Sequence, residues 1–381
     1  MEKRLFTSEC VTCGHPDKVA DSISDAILDA CLTQDPGSRV ACETMVTTNF
    51  CIICGEITTK AQVDYEAIAR RVIRQIGYVY PGDNFDADSV EILCKIHTQS
   101  ADIAMGTNDE VGGAGDQGMM FGGACTHTPE LMPLPVALSR ALSNRLTQCV
   151  ASNDLLRPDG KTQVSVEFDE NGKVVGIDTV VVSIMHSADF EMSELRKYIR
   201  EGVIAPLLAK YGFDIANVAN IHINPTGNFV IGGPNGDTGL TGRKIIVDTY
   251  GGYFSHGGGA FSGKDPTKVD RSGAYIARYM AKNLVAAGLA EQVQVQLAYA
   301  IGVAEPVSVR VDSYGTGKIA DEEMTALLRK TVDLTPAGII KKLQLRRPIY
   351  GKTAMEGHFG VEDLPWEQTD IAEELKKLAN I

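Results

Sequence analysis

The segment 256–271, HGGGAFSGKDPTKVDR, restricts what this chain can fold into more than any other part of its sequence. Its four glycines let the backbone approach a ligand closely and turn N–H groups towards it. Lys264 and Lys268 supply cations that can neutralise phosphate oxygens. Asp265 and Asp270 are carboxylates that can hold the Mg2+ accompanying a polyphosphate. Because the chain has a formal net charge of -13, this cationic block differs from its surroundings and predicts a polyphosphate site.

A second glycine-rich segment, NFVIGGPNGDTGLTGRK at residues 228–244, has the same order of glycines followed by cations. It contains five glycines and ends in Arg243 and Lys244. The apolar run that follows, residues 245–247, predicts a short strand. Two such segments are much less expected by chance than one, and together they predict a single site built from both.

Residues 258–264 match the G-x-x-x-x-G-K frame of a P-loop, which is the nearest alternative. The Ser or Thr that binds Mg2+ in a P-loop is replaced by Asp265, and residues 251–257 separate the glycines from any preceding strand. We therefore interpret the segment as a phosphate-binding loop outside the P-loop class. The chemistry that the two share is a lysine and backbone N–H groups around phosphates.

The sequence GHPDKVADSISDAILDACLTQDPG predicts a long helix near the start of the chain. Pro16 suits the first helical position, which puts His15 at the N-cap, and the helix ends before Pro36. Asp17 lies in the first turn, where it could hold a cation that bridges to an anion. Aspartates recur every four residues and form one acidic stripe: Asp17, Asp21, Asp25 and Asp29. For Asp25 and Asp29 we favour a solvated face.

A pair of strands is predicted at residues 40–48 and 50–59, and each strand carries one carboxylate among apolar neighbours. These carboxylates are Glu43 and Glu56. A carboxylate on a mostly buried strand needs a partner. An ordinary salt bridge, a bound cation and a ligand amine all remain possible partners.

Two loops add further candidates. The glycine-rich stretch 99–118 is predicted to be either a lid or a linker between domains. Asp116, at the end of this stretch, is a candidate ligand contact. Asp159 and Lys161 fall in a predicted loop before a strand at residues 163–168.

A length of 381 residues predicts two or three domains, and 44% hydrophobic with 22% charged residues is typical of a globular protein. The acidic balance argues against nucleic acid or an anionic membrane as a partner. The sequence shows neither an apolar signal region nor a run of transmembrane length, so a cytoplasmic protein is the simplest expectation.

The nine cysteines all lie at or before Cys149, which is unlike a secreted disulfide framework. Cys10 with Cys13 and Cys51 with Cys54 form two C-x-x-C pairs, so a zinc site is the alternative. The second pair lies on a predicted strand, where side chains three residues apart point to opposite faces. We therefore favour small buried thiols.

Taken together, the motifs GHPDK, GEIT, GAGDQG, GRKIIVDTYGG and GGGAFSGKDPTKVDR resemble S-adenosylmethionine synthetase, also called methionine adenosyltransferase. The resemblance runs from FTSE near the start to GHFG and PWE near the end. It implies an α+β fold of three similar α/β-sandwich domains related by a pseudo-threefold, with sheets that pack at the subunit interface. The implied domains are 1–101, 112–231 and 232–381, and a mobile active-site loop at 99–118 joins the first two.

The resemblance also implies an activity. The sulfur of L-methionine would attack C5′ of ATP to give S-adenosylmethionine, and the tripolyphosphate would be cleaved to pyrophosphate and phosphate. The cofactors would be Mg2+, two per site, and K+. The assembly would be a homodimer or homotetramer with active sites between subunits, without nucleic-acid or membrane partners.

The site roles that the resemblance implies follow residue by residue. The catalytic residues would be His15, Lys161, Arg243 and Lys264. The ATP contacts would be His15, Asp116, Asp159, Lys161, Asp237, Arg243, Lys244, Ala260 and Lys264. The methionine contacts would be Glu56, Gln99, Asp237 and Lys268. Asp17 and Asp270 would bind Mg2+, and Glu43 would bind K+.

Two positions depart from the family pattern. Cys13 replaces the usual Glu before GHPDK, and Asn228 replaces the usual Arg before FVIGGP. These departures motivate an alternative of a different class, a regulatory relative that binds nucleotide but has impaired catalysis. The complete set of cations and aspartates favours the enzyme.

Overall fold

The computed structural model describes residues 4–98 and 112–381. Its strands are β1 (Arg4–Val11), β2 (Arg39–Thr47), β3 (Phe50–Thr58), β4 (Glu91–His97), β5 (Gly118–Cys125), β6 (Leu156–Phe168), β7 (Val174–His186), β8 (Asn220–Ile223), β9 (Gly239–Leu240), β10 (Gln292–Tyr299) and β11 (Ser308–Asp312). Its helices are α1 (Pro16–Gln34), α2 (Tyr65–Ile76), α3 (Leu134–Val150), α4 (Met192–Ile199), α5 (Ala205–Lys210), α6 (Ile245–Asp248), α7 (Val269–Ala286), α8 (Asp321–Thr331), α9 (Pro336–Leu343), α10 (Tyr350–Glu356) and α11 (Ala372–Leu378). A π-helical turn (Arg200–Ile204) joins α4 to α5.

The strands form three sheets, and each sheet combines strands from distant parts of the chain. Their orders are β1-β6-β7-β8, β11-β10-β5 and β4-β3-β2-β9. Each sheet thus takes strands from two of the three predicted domains, whose boundaries stay a prediction. The mixed α and β architecture with three sheets is confirmed.

Helix α1 begins and ends where its sequence predicts. Pro16 occupies the first helical position, and the His15 side chain caps the helix by accepting a hydrogen bond from the backbone N–H of Asp17. Val19, Ile23 and Ile27 are fully buried on one face of the helix. The helix therefore lies inside the protein with its N-terminus held at a defined place.

Strands β2 and β3 are antiparallel, in the register that pairs Glu43 with Cys54 and Ala41 with Glu56. Alternate residues of β2 face the core, and the side chains between them face outwards. Glu43 and Glu56 both lie on the outward face and are exposed. Only one face of these strands is buried, so the expectation that the two carboxylates lie on mostly buried strands is wrong.

Strand β5 lies in a region where the sequence predicts no strand. A methyl group added at Gly122 would be 2.0 Å from the backbone carbonyl carbon of Ala277 in α7. One added at Gly123 would be 2.1 Å from the Phe254 ring. Gly122 therefore lets the strand pack directly against α7, and Gly123 leaves room for the Phe254 ring. Both glycines also weaken the strand signal, because glycine is depleted in strands.

Two further predictions about secondary structure are wrong. Residues 245–247 belong to helix α6 instead of a strand. The predicted loop that contains Asp159 and Lys161 is part of β6, which starts at Leu156 and pairs there with β7. In both places the segments are too short or too irregular for periodicity to distinguish the alternatives, so long-range pairing decides.

The C-terminal residues pack against α7. Trp366 is fully buried and stacks on Tyr275 with ring centroids 3.7 Å apart. Arg278 of α7 donates to the Glu367 carboxylate at 2.8–3.0 Å. This end of the chain therefore holds in place the helix that follows the segment 256–268.

Candidate active site

The structure brings the two glycine-rich segments together. We call residues 239–244 the first cationic loop and residues 256–268 the second. Gly242 of the first adopts a φ of 78°, and a methyl group added there would be 2.5 Å from Cβ of Ala260 in the second. Lys264 forms an isolated β-bridge to Ala41, which anchors the second loop on strand β2. Two segments predicted to share a site are thus in contact.

Each cationic loop contains a lysine that is paired with a carboxylate. Nζ of Lys244 is 2.5 Å from Oδ2 of Asp17, and Nζ of Lys264 is 2.6 Å from Oδ2 of Asp270. The lysine side chains are 20% and 24% exposed, so solvent reaches both. In each pair, the lysine is a predicted phosphate contact and the aspartate is a predicted Mg2+ ligand.

The surroundings of His15 leave its Nε2–H as a hydrogen-bond donor. Its Nδ1 accepts a hydrogen bond from the backbone N–H of Asp17 at 3.2 Å. Burial and the nearby Lys244 ammonium lower the pKa of His15 to about 3, so the ring is neutral near pH 7. A neutral ring whose Nδ1 accepts a hydrogen bond carries its proton on Nε2.

The Asp17 carboxylate stays charged although it is buried. Burial opposes its ionisation, but the Lys244 ammonium and the N–H of Leu240 hold its pKa below the usual value. The Leu240 N–H donates to Oδ1 at 2.9 Å. Asp17 is therefore a charged oxygen donor at the N-terminus of α1 and beside the first cationic loop.

Asp159 and Lys161 lie on β6 next to this group. Asp159 accepts a hydrogen bond from the N–H of Gly233 at 2.8 Å, and burial raises its pKa to about 6. Lys161 is exposed, pairs in register with Val11 at the end of β1, and contributes to lowering the pKa of His15. Strand β6 therefore places Lys161 beside His15, although the sequence assigned it to a loop.

Glu43 and Glu56 are neighbours on the outward face of the β2–β3 pair. Neighbouring protein atoms displace part of the water around the Glu43 carboxylate and raise its pKa, Lys264 opposes that rise, and Glu56 adds to it. The two carboxylates therefore interact with each other and with the second cationic loop.

Lys268 is paired within its own loop. Its Nζ is 2.5 Å from Oδ2 of Asp265, which is fully buried and also accepts hydrogen bonds from Val40 and Thr267. The predicted contact between Lys268 and methionine would use the ammonium hydrogens that this pair leaves available. Gln99 lies outside the described residues, as does most of the predicted lid.

The other predicted contacts are on the surface. Asp116 and Asp237 are exposed and accept hydrogen bonds from the backbone N–H groups of Gln117 and Thr238. Arg243 is exposed at the end of the first cationic loop. Their side chains face solvent, so the structure leaves their contacts to a ligand as predictions.

The prediction that Asp25 and Asp29 form a solvated face is wrong. Asp25 is fully buried and forms a two-fold ion pair with Arg271, with N–O distances of 2.7 and 2.9 Å. Asp29 accepts hydrogen bonds from the backbone N–H groups of Tyr350 and Gly351. No signal inside α1 distinguishes this role from a solvated face, because the partners of both aspartates are distant in the sequence.

Seven of the nine cysteines are buried as small core residues, whereas Cys54 is partly buried and Cys94 is exposed. Cys10, Cys13 and Cys51 are buried, and burial raises the pKa of each thiol. Cys54 is only partly buried, since it lies on the opposite face of β3 from Cys51. Across residues 4–98 and 112–381, no group of three or more His, Cys, Asp or Glu side chains is arranged as a metal site.

Among the described residues, no helix is both long enough and apolar enough to span a membrane.

Three family models match successive parts of the sequence. The S-adenosylmethionine synthetase N-terminal domain matches residues 3–101, its central domain matches 111–229, and its C-terminal domain matches 231–368. The chain belongs to the S-adenosylmethionine synthetase family. As a member of this family of methionine adenosyltransferases, it makes S-adenosylmethionine from ATP and L-methionine in a metal-dependent reaction.

The geometry suits an S-adenosylmethionine synthetase. The described residues place two lysines, a neutral histidine and two carboxylates around the contact between the cationic loops. A synthetase of this kind must stabilise the charge of a departing tripolyphosphate, and these side chains can bind polyphosphate oxygens and the metal that accompanies them.

Proposed function

We propose that the two cationic loops and His15 form the tripolyphosphate half of the active site, in which methionine sulfur attacks C5′ of ATP. The observation that carries this proposal is the contact between the loops, where Lys244 and Lys264 each face a carboxylate. No general base is needed, because the attacking thioether sulfur has no proton to lose.

Stabilising the leaving group is then the main task of the protein. As the C5′–oxygen bond breaks, negative charge builds up on the tripolyphosphate. Lys161, Lys244, Lys264 and Arg243 donate to its oxygens, and Nε2–H of His15 donates to the oxygen that leaves C5′. Charged donors placed in advance of the reaction stabilise such a transition state, each by roughly 3 kcal/mol. The same donors can bind the tripolyphosphate while it is hydrolysed to pyrophosphate and phosphate.

Asp17 and Asp270 are proposed to hold Mg2+, two ions per site. Carboxylate oxygens are suitable donors, and Mg2+ usually binds to one or two carboxylates together with substrate phosphates. When bound, Mg2+ supplies further positive charge to the phosphate oxygens. Lys244 and Lys264 must then leave these carboxylates and pair with the phosphates.

Glu43 is proposed to hold K+. Glu56 repels the Glu43 carboxylate electrostatically and adds to the rise of the Glu43 pKa. A monovalent cation at Glu43 would relieve this repulsion and leave Glu56 free for the methionine amine. Gln99, Asp237 and Lys268 are the other proposed methionine contacts, and Asp116, Asp159 and Ala260 complete the proposed ATP contacts.

We propose a homodimer or homotetramer with active sites between subunits. A row of apolar side chains crosses the outward face of the sheet β4-β3-β2-β9, and the strand register aligns its members: Leu240, Met45, Ile52 and Leu93. Leu93 is 39% exposed and Leu240 is 37% exposed. A second copy of the chain that covers this row would also cover Glu43 and Glu56, which lie on the same face.

A cytoplasmic location is proposed from the cysteines. All nine lie in described parts of the chain, and none is part of a disulfide. Free thiols are typical of a reducing compartment.

The test is product formation. The purified protein is incubated with ATP, L-methionine, Mg2+ and K+, and S-adenosylmethionine, pyrophosphate and phosphate are quantified. We expect all three products in equal amounts, with lower rates when Mg2+ is removed or Na+ replaces K+. Nucleotide binding without product would favour the alternative, a regulatory relative with impaired catalysis, which the substitutions at Cys13 and Asn228 motivate.

A further inference from the structure

The acidic stripe of α1 connects the helix to several segments that are far away in sequence. Each of its four aspartates accepts a hydrogen bond from a backbone N–H of the C-terminal part of the chain. Asp17 accepts from Leu240 at 2.9 Å, Asp21 from Gly242 at 2.8 Å, Asp25 from Gly263 at 2.9 Å, and Asp29 from Tyr350 at 3.0 Å and Gly351 at 2.7 Å. Three of the four aspartates therefore hold one of the two cationic loops.

Asp21 holds the first cationic loop directly, through Gly242, and indirectly, through Lys18. Its Oδ1 accepts the hydrogen bond from Gly242, and its Oδ2 is 3.0 Å from Nζ of Lys18. The same ammonium is 2.7 Å from Oδ1 of Asp248 in α6, the helix that directly follows the loop. Lys18, Asp21 and Asp248 are all buried. The loop that ends in Lys244 is thus attached to α1 on both sides.

Asp25 fixes the second cationic loop through Arg271. The guanidinium that pairs with Asp25 also donates to the backbone carbonyls of Phe261 at 3.0 Å and Lys264 at 3.1 Å. Asp25 and Arg271 are fully buried. The backbone around Lys264 is therefore held by the same helix that holds the first loop.

Asp29 uses the same kind of contact for a different segment. It caps the start of α10, a helix that contains none of the proposed site residues. Asp29 therefore makes the same kind of hydrogen bond as Asp21 and Asp25, but it does not contact either cationic loop.

We propose that Asp21 and Asp25 are positioning residues for the reaction, which fix the cationic loops so that Lys244 and Lys264 meet the tripolyphosphate at the right distance. Neither aspartate touches substrate, and each acts through the loop that it holds. A rigid support is needed because misplacing a charged donor by about 1 Å can cost on the order of a hundredfold in rate. This inference rests on the phosphate-binding roles proposed above for Lys244 and Lys264.

The test compares Asp21→Asn with Asp29→Asn in the full-length protein. An asparagine keeps one acceptor oxygen, but at position 21 its NH2 group faces the Lys18 ammonium, which loosens the loop. Single-turnover formation of S-adenosylmethionine, KM for methionine and the melting temperature are measured for both variants. We expect Asp21→Asn to lower the single-turnover rate about 10- to 100-fold with KM for methionine within threefold. Asp29→Asn is expected to lower the melting temperature and to leave the rate within threefold.

A double-mutant cycle with Lys244→Ala separates positioning from general loosening. If Asp21 acts through Lys244, Asp21→Asn costs less than threefold in a protein that already lacks Lys244. A rate for Asp21→Asn within threefold of the wild type would overturn the inference, as would an equal loss in both backgrounds. If Asp21→Asn does not fold, Asp248→Asn disturbs the same lysine from the other side and must meet the same expectations.

Different results would refute the phosphate-binding role of Lys244 and the positioning role of Asp21. A Lys244→Ala protein with the rate of the wild type would refute the proposed role of Lys244 and remove the basis of the inference. A slow Lys244→Ala protein with an unaffected Asp21→Asn protein would leave the proposed site intact and refute only the positioning role.

Discussion

The ion pair between Lys244 and Asp17 leads to an unusual expectation. Removing this proposed phosphate-binding lysine should strengthen metal binding when no nucleotide is present. Nζ of Lys244 is 2.5 Å from Oδ2 of Asp17. A metal ion must displace this ammonium to reach the carboxylate. Replacing Lys244 with methionine keeps an apolar side chain of similar length, removes the competing charge and frees Asp17.

The magnitude follows from the pair itself. A hydrogen bond between charged groups contributes about 1.5–3 kcal/mol. Because the Lys244 side chain is 20% exposed while Asp17 is 4% exposed, solvent screening places this pair near the lower end. A gain of about 1.4 kcal/mol corresponds to about tenfold tighter metal binding. We therefore expect Lys244→Met to bind metal about tenfold more tightly than the wild type without nucleotide.

The assay is a titration with Mn2+ in the absence of ATP, in which electron paramagnetic resonance measures the free ion. Lys268→Met is the matched control, because Lys268 also forms a pair at 2.5 Å, but with Asp265. Asp265 is fully buried, and the Mg2+ ligands proposed above are Asp17 and Asp270 instead. The control removes the same charge from the same region, so its Mn2+ affinity should stay within twofold of the wild type.

The same substitution should have the opposite effect on the reaction. Lys244→Met loses a charged donor to the tripolyphosphate, so the single-turnover rate should fall about a hundredfold. Unchanged or weaker Mn2+ binding by Lys244→Met would refute the exchange of partners. An equal gain in the Lys268→Met control would show that the effect comes from total charge instead of from the Asp17 pair.

Three further predictions test other parts of the site and the core. Lys264→Ala should lower turnover about a hundredfold, because a charged donor to the leaving group is lost, while the Kd for methionine measured by calorimetry stays within threefold; a near-normal single-turnover rate would contradict this. Gly242→Ala should lower kcat at least about tenfold, because its methyl group would meet Ala260 at 2.5 Å and separate the loops; the control Gly252→Ala has a similar φ of 88° with open space around it and should keep its kcat. Burial and nearby cations hold the pKa of His358 well below 6.5 in the folded protein. Near pH 6 only the unfolded chain therefore binds a proton at this position. The stability that depends on the neutral ring is complete above pH 6.5 and is lost as the pH falls below it. Between pH 7 and 5.5 the wild type should therefore lose about 1.3 kcal/mol more unfolding free energy in urea than His358→Gln, and equal losses in the two proteins would disprove the buried neutral histidine.

Local features of the fold could be predicted from the sequence because their causes are local. Pro16 at the first helical position and His15 before it define the start of α1. In α2, the Asp64 side chain caps the first turn and Gly77 ends the helix in a left-handed conformation. These signals act within one helical turn and need no information from the rest of the chain.

The buried aspartates show where such reasoning stops. A regular row of aspartates on a helix is most simply a solvated face, and for Asp25 and Asp29 this interpretation is wrong. Their partners are Arg271 and the start of α10, which are more than two hundred residues away in the sequence. Burial of a carboxylate depends on whether such a partner arrives, and no pattern within α1 contains that information.

The sequence by itself determined which residue types are available to this protein: glycines that allow two loops to touch, lysines for phosphate, and carboxylates at a helix N-terminus. Only the tertiary structure decided how they are combined. It pairs Asp17 with Lys244 across 227 positions and places Gly242 against Ala260. The physical reason is that the energy of a charge or a close backbone contact depends on what surrounds it in space, and that environment exists only after the distant segments have packed together.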